Sequence, residues 1–301
     1  MIEGQEDVTW DDWRALAGAC EEHGVETLFR SDHYLSVFGQ RERGSLDAWA
    51  TINALAATTS KVRLGTLVSP VTFRHAAELA KVVATADHVS GGRVELGLGT
   101  GWLQVEHEVY GFPFPPLGER MALLEEQLQL IDLHWTDGPQ QPKPVQRPRP
   151  NLIVGGRGGP RSIRMAARYA DEYNTVNKTA AECAAIREQL DAACEAAGRD
   201  RIPLSLMITW LAGEDRAELL DRAGRLAEWQ GRGGDGERLL GELGESAIAG
   251  TLEENLERLR ELAAAGVERV MLQHLLHRDL DAVAQIGRVV APAVVRAPSD
   301  V

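Results

Sequence analysis

Short apolar runs alternate along nearly the whole chain with longer segments in which apolar residues recur every three or four positions. The short runs are VETLF (25–29), VRLGTLV (62–68), RVELGLG (93–99), NLIVGG (151–156), DEYNTV (171–176), PLSLMITWL (203–211) and VERVMLQHL (267–275). They are short, rich in strand-forming residues and bounded by turn residues, so each reads as a strand. Between them lie amphipathic helical stretches such as WRALAGACEEHG, LDAWATINALAATTS, RHAAELAKVVATADHVS, ERMALLEEQLQLIDLHW and LEENLERLRELAAAG. Thr9 with Asp12, and Thr251 with Glu254, have the spacing of capping boxes. Gly24 closes the first helix, and Pro160 suits a first helical position. A proline-rich bridge, GPQQPKPVQRPRP, precedes the strand at 151, and residues 214–246 read as an extra helical excursion.

Strands that succeed one another through helices pair in parallel, because a parallel connection has to cross over. Seven strands are read, and an eighth would close a (β/α)8 TIM barrel. The missing strand would precede Glu3, so Met1 and Ile2 are expected to be its last residues. A first strand truncated in this way leaves a gap in the barrel and an unpaired edge. An open doubly wound sheet is the competing architecture. Residues 1–301 read as a single domain. In a barrel, chemistry sits where strands end, at the C-terminal face. Those ends carry Ser31, Asp32 and His33; Leu67, Val68 and Ser69; Gly97 to Trp102; Gly155 to Gly159; and Asn174.

Charge narrows the choice of partner. The chain carries a formal net charge of -13, which repels phosphate backbones and argues against nucleic acid. No run approaches the roughly 20 apolar residues of a bilayer span, and MIEGQEDVTW lacks the basic and apolar pattern of a secretory signal. Cys20, Cys183 and Cys194 form no CxxC pair and no metal-ligand spacing, which fits a reducing cytoplasm. No metal site is expected.

His33 follows a core strand directly, and an imidazole there can donate or accept a proton near neutrality. Asp32 could orient it or accept from a ligand N–H. GLGTGW (97–102) ends a strand in glycines that allow a flat ligand or another backbone to come close, but it lacks the third glycine of G-x-G-x-x-G. In IVGGRGGP (153–160), glycines expose backbone N–H groups at a helix N-terminus, where anions bind. From Gly138 to Ala170 the basic residues Lys143, Arg147, Arg149, Arg157, Arg161, Arg164 and Arg168 stand without an acid. Such an island could steer a small polyanion to the loop, and a solvated helix face explains part of it equally well.

Three ordered stretches carry a family likeness: VRLGTLVSPVTFRHAAELAKVVATADHVSGGRVELGLGTGW…E…YG, then ER…LEEQLQLIDLHW, then PKPVQRPRPNLIVGGRGGPRSIRMAARYADEYN. With GTLEENLERLRELAAAGVERVMLQ near the end, the chain resembles the bacterial-luciferase-like monooxygenase superfamily, and within it the branch dependent on the deazaflavin coenzyme F420. The resemblance implies a barrel with a flavin or deazaflavin across its C-terminal mouth. It implies that Asp32 and His33 face the ring, with His33 supplying or removing a proton. The Leu67–Val68 bond is implied to be a non-prolyl cis peptide behind the ring, beside Thr66. Gly99, Thr100 and Gly101 would also touch the cofactor, and Gly155, Gly156, Arg157 and Gly158 would receive its phosphate. Three features depart from many relatives: the short first strand; the absence of a hairpin between the LHW helix and PKPVQRP; and Trp102, which follows Gly-Thr-Gly where some deazaflavin dehydrogenases of the family place a carboxylate, a substitution that argues against a sugar-phosphate dehydrogenase and would shape an apolar substrate wall. Three readings follow: an F420-dependent oxidoreductase acting on a small-molecule substrate; an FMN-dependent monooxygenase using O2 and a reductase; and a non-catalytic relative. A flavin or F420 reductase is a possible partner. Apolar residues on the helices at 76–89 and 119–135 lead to the expectation of a homodimer.

Overall fold

A computed structural model describes residues 1–294; of the domain expected over 1–301, residues 295–301 lie outside the described residues. The strands are β1 Thr27–Arg30, β2 Arg63–Pro70, β3 Val94–Gly99, β4 Asn151–Gly155, β5 Glu172–Val176, β6 Leu204–Gly213, β7 Ala247–Thr251 and β8 Arg269–Gln273. All pair in parallel, from β1 to β6 in chain order. The α-helices are α1 Trp10–His23, α2 Ala48–Thr58, α3 Ala76–Ser90, α4 Gln104–Tyr110, α5 Leu117–Trp135, α6 Pro160–Tyr169, α7 Ala180–Ala196, α8 Arg216–Trp229, α9 Gly236–Leu243, α10 Leu252–Ala264, α11 Leu280–Gln285 and α12 Ala291–Val294. The capping boxes at Thr9 and Thr251 form, and Gly24 adopts the left-handed conformation that closes α1.

Two details differ from the sequence reading. A strand, β7, follows the helical excursion at 214–246; its sequence AIAGT is short and ends in a cap residue, so its strand pattern is weak. β6 serves two partners: Ser205–Thr209 pair with β8, and Thr209–Gly213 pair with β7. The ring therefore runs from β6 to β8, with β7 on the upper half of β6. Between β8 and β1 stand Met1 and Ile2. Met1 donates to Leu272 O at 2.8 Å and accepts from His274 N at 2.9 Å. Ile2 donates to Phe29 O at 3.0 Å and accepts from Ser31 N at 3.1 Å. These two residues join both edges at the mouth level, where the sequence reading expects a gap.

Alternation along the strands divides the core. Leu28, Leu64, Leu96, Leu98, Leu152, Val154, Leu204 and Leu206 face outward into one apolar layer shared with the helices. Phe29, Leu67, Ile153 and Met271 face inward, packed with Met1, Val68 and Met207. Glycines make this interior possible: a Cβ on Gly65 would meet the Phe29 ring at 2.7 Å, and one on Gly99 would meet Val68 at 2.6 Å.

The interior floor is polar and self-contained. Glu95 accepts from Arg63 at 2.8 Å, from Arg269 at 2.7 Å and from Asn151 at 2.8 Å, while Arg269 also reaches Glu172 at 3.1 Å and Thr27 at 2.9 Å. Burial disfavours the Glu95 charge, but Arg269, Arg63 and Asn151 outweigh it and hold its pKa below the usual carboxylate range.

Candidate active site

The upper end of the barrel is built differently. The inward-facing Val68, Val176, Met207 and Gln273 are only half-buried, whereas Phe29, Ile153 and Met271 beneath them are closed. An open bowl with an apolar floor results. The ladder between β2 and β3 shifts register between Thr66 and Ser69, and the Leu67–Val68 peptide is cis, as the resemblance implies. Val68 is pushed into the bowl at this bulge. Its methyls occupy the space that a Cβ on Gly97, Gly99 or Gly155 would fill. The glycines of GLGTGW thus admit a neighbouring strand's side chain, where the sequence reading names a flat ligand or another backbone; only Gly97 also has a close backbone neighbour, the Thr66 carbonyl.

Asp32 and His33 leave the end of β1 side by side, yet they serve different networks. Asp32 is buried and accepts from Ser69 Oγ at 2.6 Å and from Arg74 Nη1 at 2.6 Å. Arg74 also donates to Asp47 at 2.6 Å, and Trp49 Nε1 donates to Ser69 at 3.0 Å. The expectation that Asp32 orients His33 is corrected: the carboxylate on His33 is Glu106. His33 Nδ1 lies 2.8 Å from Glu106 Oε1, and Tyr34 N donates to the other oxygen at 3.0 Å. An ionised carboxylate can only accept, so Nδ1 carries the proton and Nε2 is the nitrogen left for a ligand. Burial opposes charging the ring, but the Glu106 bond and the charges of Glu106, Glu3 and Asp32 prevail, and the His33 pKa lies above the ordinary imidazole value.

Glu106 sits on α4, a helix that the sequence reading does not contain. His107 pins α4 in place, with Nε2 at 2.6 Å from Thr72 Oγ1 and Nδ1 at 2.8 Å from Leu103 O. Glu106 is one of two acids between GW and YG in the GW…E…YG pattern, the other being Glu108, and only the fold shows that it is Glu106 that meets His33. A second chain went unread because its members lie far apart in sequence. Thr209 donates to Gln273 at 2.8 Å, Gln273 to Glu3 at 2.6 Å and Gln5 to Glu3 at 2.7 Å, and Ser31 donates to Gln5.

The remaining expected residues divide between bowl and support. Thr66 is fully buried and bonded to Ser69 Oγ at 3.1 Å, and Leu67 is buried beside it, so both lie behind the bulge. Thr100 and Gly101 are half-buried at the rim. In the glycine loop, Gly156 N is spent on Asn174 O at 2.9 Å and Gly158 N on Tyr173 Oη at 2.9 Å. The first turn of α6 has no side-chain cap, and Arg157 is exposed beside it. The basic island does not converge there. Arg149 pairs with Asp132 at 2.6 Å and with Asp171, and Lys143 donates to His134 O at 3.0 Å. Arg157 remains at the loop, while Arg164 is exposed farther along α6. Among the described residues no group of three metal-binding side chains converges, and no helix is long and apolar enough to cross a membrane.

The sequence model of a family described as luciferase-like monooxygenase matches residues 2–285. An uncharacterised protein of Mycobacterium tuberculosis is 31% identical over 218 residues, covering 63% of this chain and 76% of that one. An F420-dependent glucose-6-phosphate dehydrogenase of Amycolatopsis mediterranei is 34% identical over 175 residues, 51% of this chain and 49% of its own length. An FMNH2-dependent dimethylsulfone monooxygenase of Pseudomonas putida is 29% identical over 184 residues, 56% of this chain and 49% of its own. The match thus spans about half the length of these two enzymes. Among solved structures, a monooxygenase of Streptomyces bottropensis superposes with a TM-score of 0.79 at 22% identity, over 95% of this chain and 92% of that one. An F420-dependent secondary alcohol dehydrogenase in complex with an F420–acetone adduct gives 0.78 at 21%, over 96% of each chain. At those identities the superpositions speak for the fold.

Proposed function

The chain belongs to the luciferase-like monooxygenase family, and on that premise we propose that it is an F420-dependent oxidoreductase acting on a small organic substrate. The observation that carries the reading is the His33–Glu106 pair, held at 2.8 Å on the rim of an open bowl. The residues suit a deazaflavin. Val68, with Leu67 and Thr66 behind it, offers an apolar floor of half-buried surface, and Gly99, Thr100 and Gly101 form the adjoining wall. The uncapped first turn of α6, with exposed Arg157 beside it, suits a phosphate, since unpaired helix N–H groups favour anions; Gly155, Gly156 and Gly158 contribute the bare loop around it, the N–H groups of Gly156 and Gly158 being used within the fold.

When bound, the deazaflavin supplies two-electron hydride chemistry. The chain's own residues manage position and protons. His33 takes the proton from a substrate hydroxyl, or returns it, at Nε2. Glu106 fixes the ring and stabilises the imidazolium that results, in the manner of a carboxylate behind a general base. Asp32 acts from behind: by holding Ser69 and Arg74 it keeps the end of β2, and so Val68, in place.

The FMN-dependent monooxygenase reading stands second, supported by the Pseudomonas putida relative; it would require a flavin reductase as partner and O2. The two are separated by titrating the protein with F420 and with FMN and following the fluorescence of each at low and moderate salt. Tight F420 binding that weakens with salt, with weak FMN binding, is expected. The reverse preference would replace the deazaflavin reading with the flavin one, and binding of neither would leave a non-catalytic member of the family. A homodimer belongs to the same proposal, supported by Val89 on α3 and Leu133 on α5, both exposed. A monomeric mass in light scattering at micromolar concentration would remove it.

A further inference from the structure

The surroundings of His33 show what kind of molecule can approach it. Trp102 stands edge-on to the His33 ring, with centroids 5.6 Å apart and planes at 78°. The indole is nevertheless 56% exposed, an unusual position for a large apolar side chain in contact with a catalytic candidate. Along α4, Val105 is 43%, Val109 63% and Tyr110 50% exposed, and the helix, QVEHEVY, contains no Lys or Arg. Tyr110 continues into an aromatic stack with Tyr34 and Phe112, at centroid separations of 5.1 and 6.2 Å.

The charges that act on His33 itself are all negative. Glu106, Glu3 and Asp32 all act on His33. Glu3 is buried and held by the amides of Gln5 and Gln273, with no cation among its hydrogen-bond partners. The nearby cations are engaged: Arg74 with Asp32 and Asp47, Arg43 with Glu6 at 2.7 Å, and Arg120 with Pro115 O at 2.9 Å and with Gly101 O, its guanidinium lying over Phe114. Arg157 lies instead in the loop after β4, the part of the rim assigned above to the cofactor. A substrate phosphate or carboxylate beside His33 would meet the carboxylate of Glu106 and the hydrocarbon of Trp102 first. A neutral molecule would lose little by leaving water there and would cover the exposed indole, and removing apolar surface from water favours binding.

We propose that the pocket beside His33 takes a neutral substrate, a hydroxyl or carbonyl group on an apolar or aromatic body, and excludes phosphorylated and carboxylated ones, with Trp102 as the residue that selects it. This inference rests on the oxidoreductase reading for the reaction but on the rim itself for the ligand, so the two can fail separately.

The test uses the full chain, with and without bound F420. Tryptophan emission is titrated with benzyl alcohol, cyclohexanol and glucose 6-phosphate, in wild type, Trp102→Phe and Trp102→Ala; because Trp102 is exposed, its replacement leaves the core intact. Saturable binding of the neutral probes is expected in wild type, with glucose 6-phosphate at least tenfold weaker. When affinity is read by competition in the F420-bound protein, Trp102→Ala should weaken the neutral probes about tenfold and Trp102→Phe should restore most of the loss. Glucose 6-phosphate binding as tightly as the alcohols, or neutral-probe affinity indifferent to Trp102→Ala, would overturn the inference. Trp102-dependent alcohol binding in a protein that does not bind F420 would uphold the inference and remove the deazaflavin reading instead.

Discussion

The floor and the mouth of the barrel are built on the same strands and both hold buried charge, yet they treat it in opposite ways. At the floor, Glu95 is bonded on both oxygens by Arg63, Arg269 and Asn151, and Arg269 also holds one oxygen of Glu172, so five strands are tied together in the lower interior. At the mouth, Glu106 secures one nitrogen of His33 and leaves the other uncommitted, while the residues around it stay half-buried. A polar group satisfied on every side holds a structure together. One satisfied on a single side is prepared for something to arrive.

The comparison breaks most visibly at His33. Replacing it with Ala should lower turnover by about 10²- to 10⁴-fold, the usual worth of a positioned proton-transfer group. The F420 titration should hardly move. Unchanged turnover with any substrate the wild type accepts would take His33 out of the mechanism.

The floor should show the converse. Arg269→Leu leaves Glu95 and Glu172 buried with a cation removed, and breaking such a pair costs about 3–5 kcal/mol. Urea denaturation would reveal the loss, while turnover of the molecules that remain folded should match wild type. A variant as stable as wild type would mean that the floor network is not what locks the lower interior.

Glu106→Gln sharpens the contrast through pH. The His33 pKa is raised in the fold, so its contribution to stability is complete below the ordinary imidazole value of about 6.5 and is lost as pH rises through the elevated folded value. The Glu95 pKa is depressed, so its contribution is present above the ordinary value of about 4.3 and is lost as pH falls through the depressed one. In Glu106→Gln, burial is no longer opposed by the Glu106 carboxylate. The His33 titration followed by NMR should move down, and the His33-dependent limb of the pH–rate profile should move with it; the acid-side stability loss from Glu95 should stay where it is. A His33 titration that does not respond would show that Glu106 plays no part in setting it.

Much of the fold was legible because each surface strand-to-helix switch changes the hydrophobic period from 2 to 3.6. The helix caps at Thr9 and Thr251 were equally plain, since their partners are three residues away. β7 was not, because its five residues lack an alternating pattern and gain their place only from the upper half of β6. α4 was missed as well: it is seven residues long, its first residue follows no side-chain cap, and it is fixed by His107 reaching Thr72. In the site, His33 could be found from its position after a strand. Its partner could not, because adjacent Asp32 is the obvious candidate and only folding shows that Arg74 has claimed it.

The sequence by itself therefore determined the order of strands and helices, the family, and the end of the barrel at which histidine and glycines gather. The order and the active end depend on local periodicity and on the direction in which each strand runs, and the family rests on the resemblance of the quoted motifs. The tertiary structure alone decided which carboxylate faces His33, which arginines remain free, and that the glycines of β3 and β4 make way for Val68. Such outcomes depend on side chains tens of residues apart competing for the same few ångströms, and no local pattern records which of them wins.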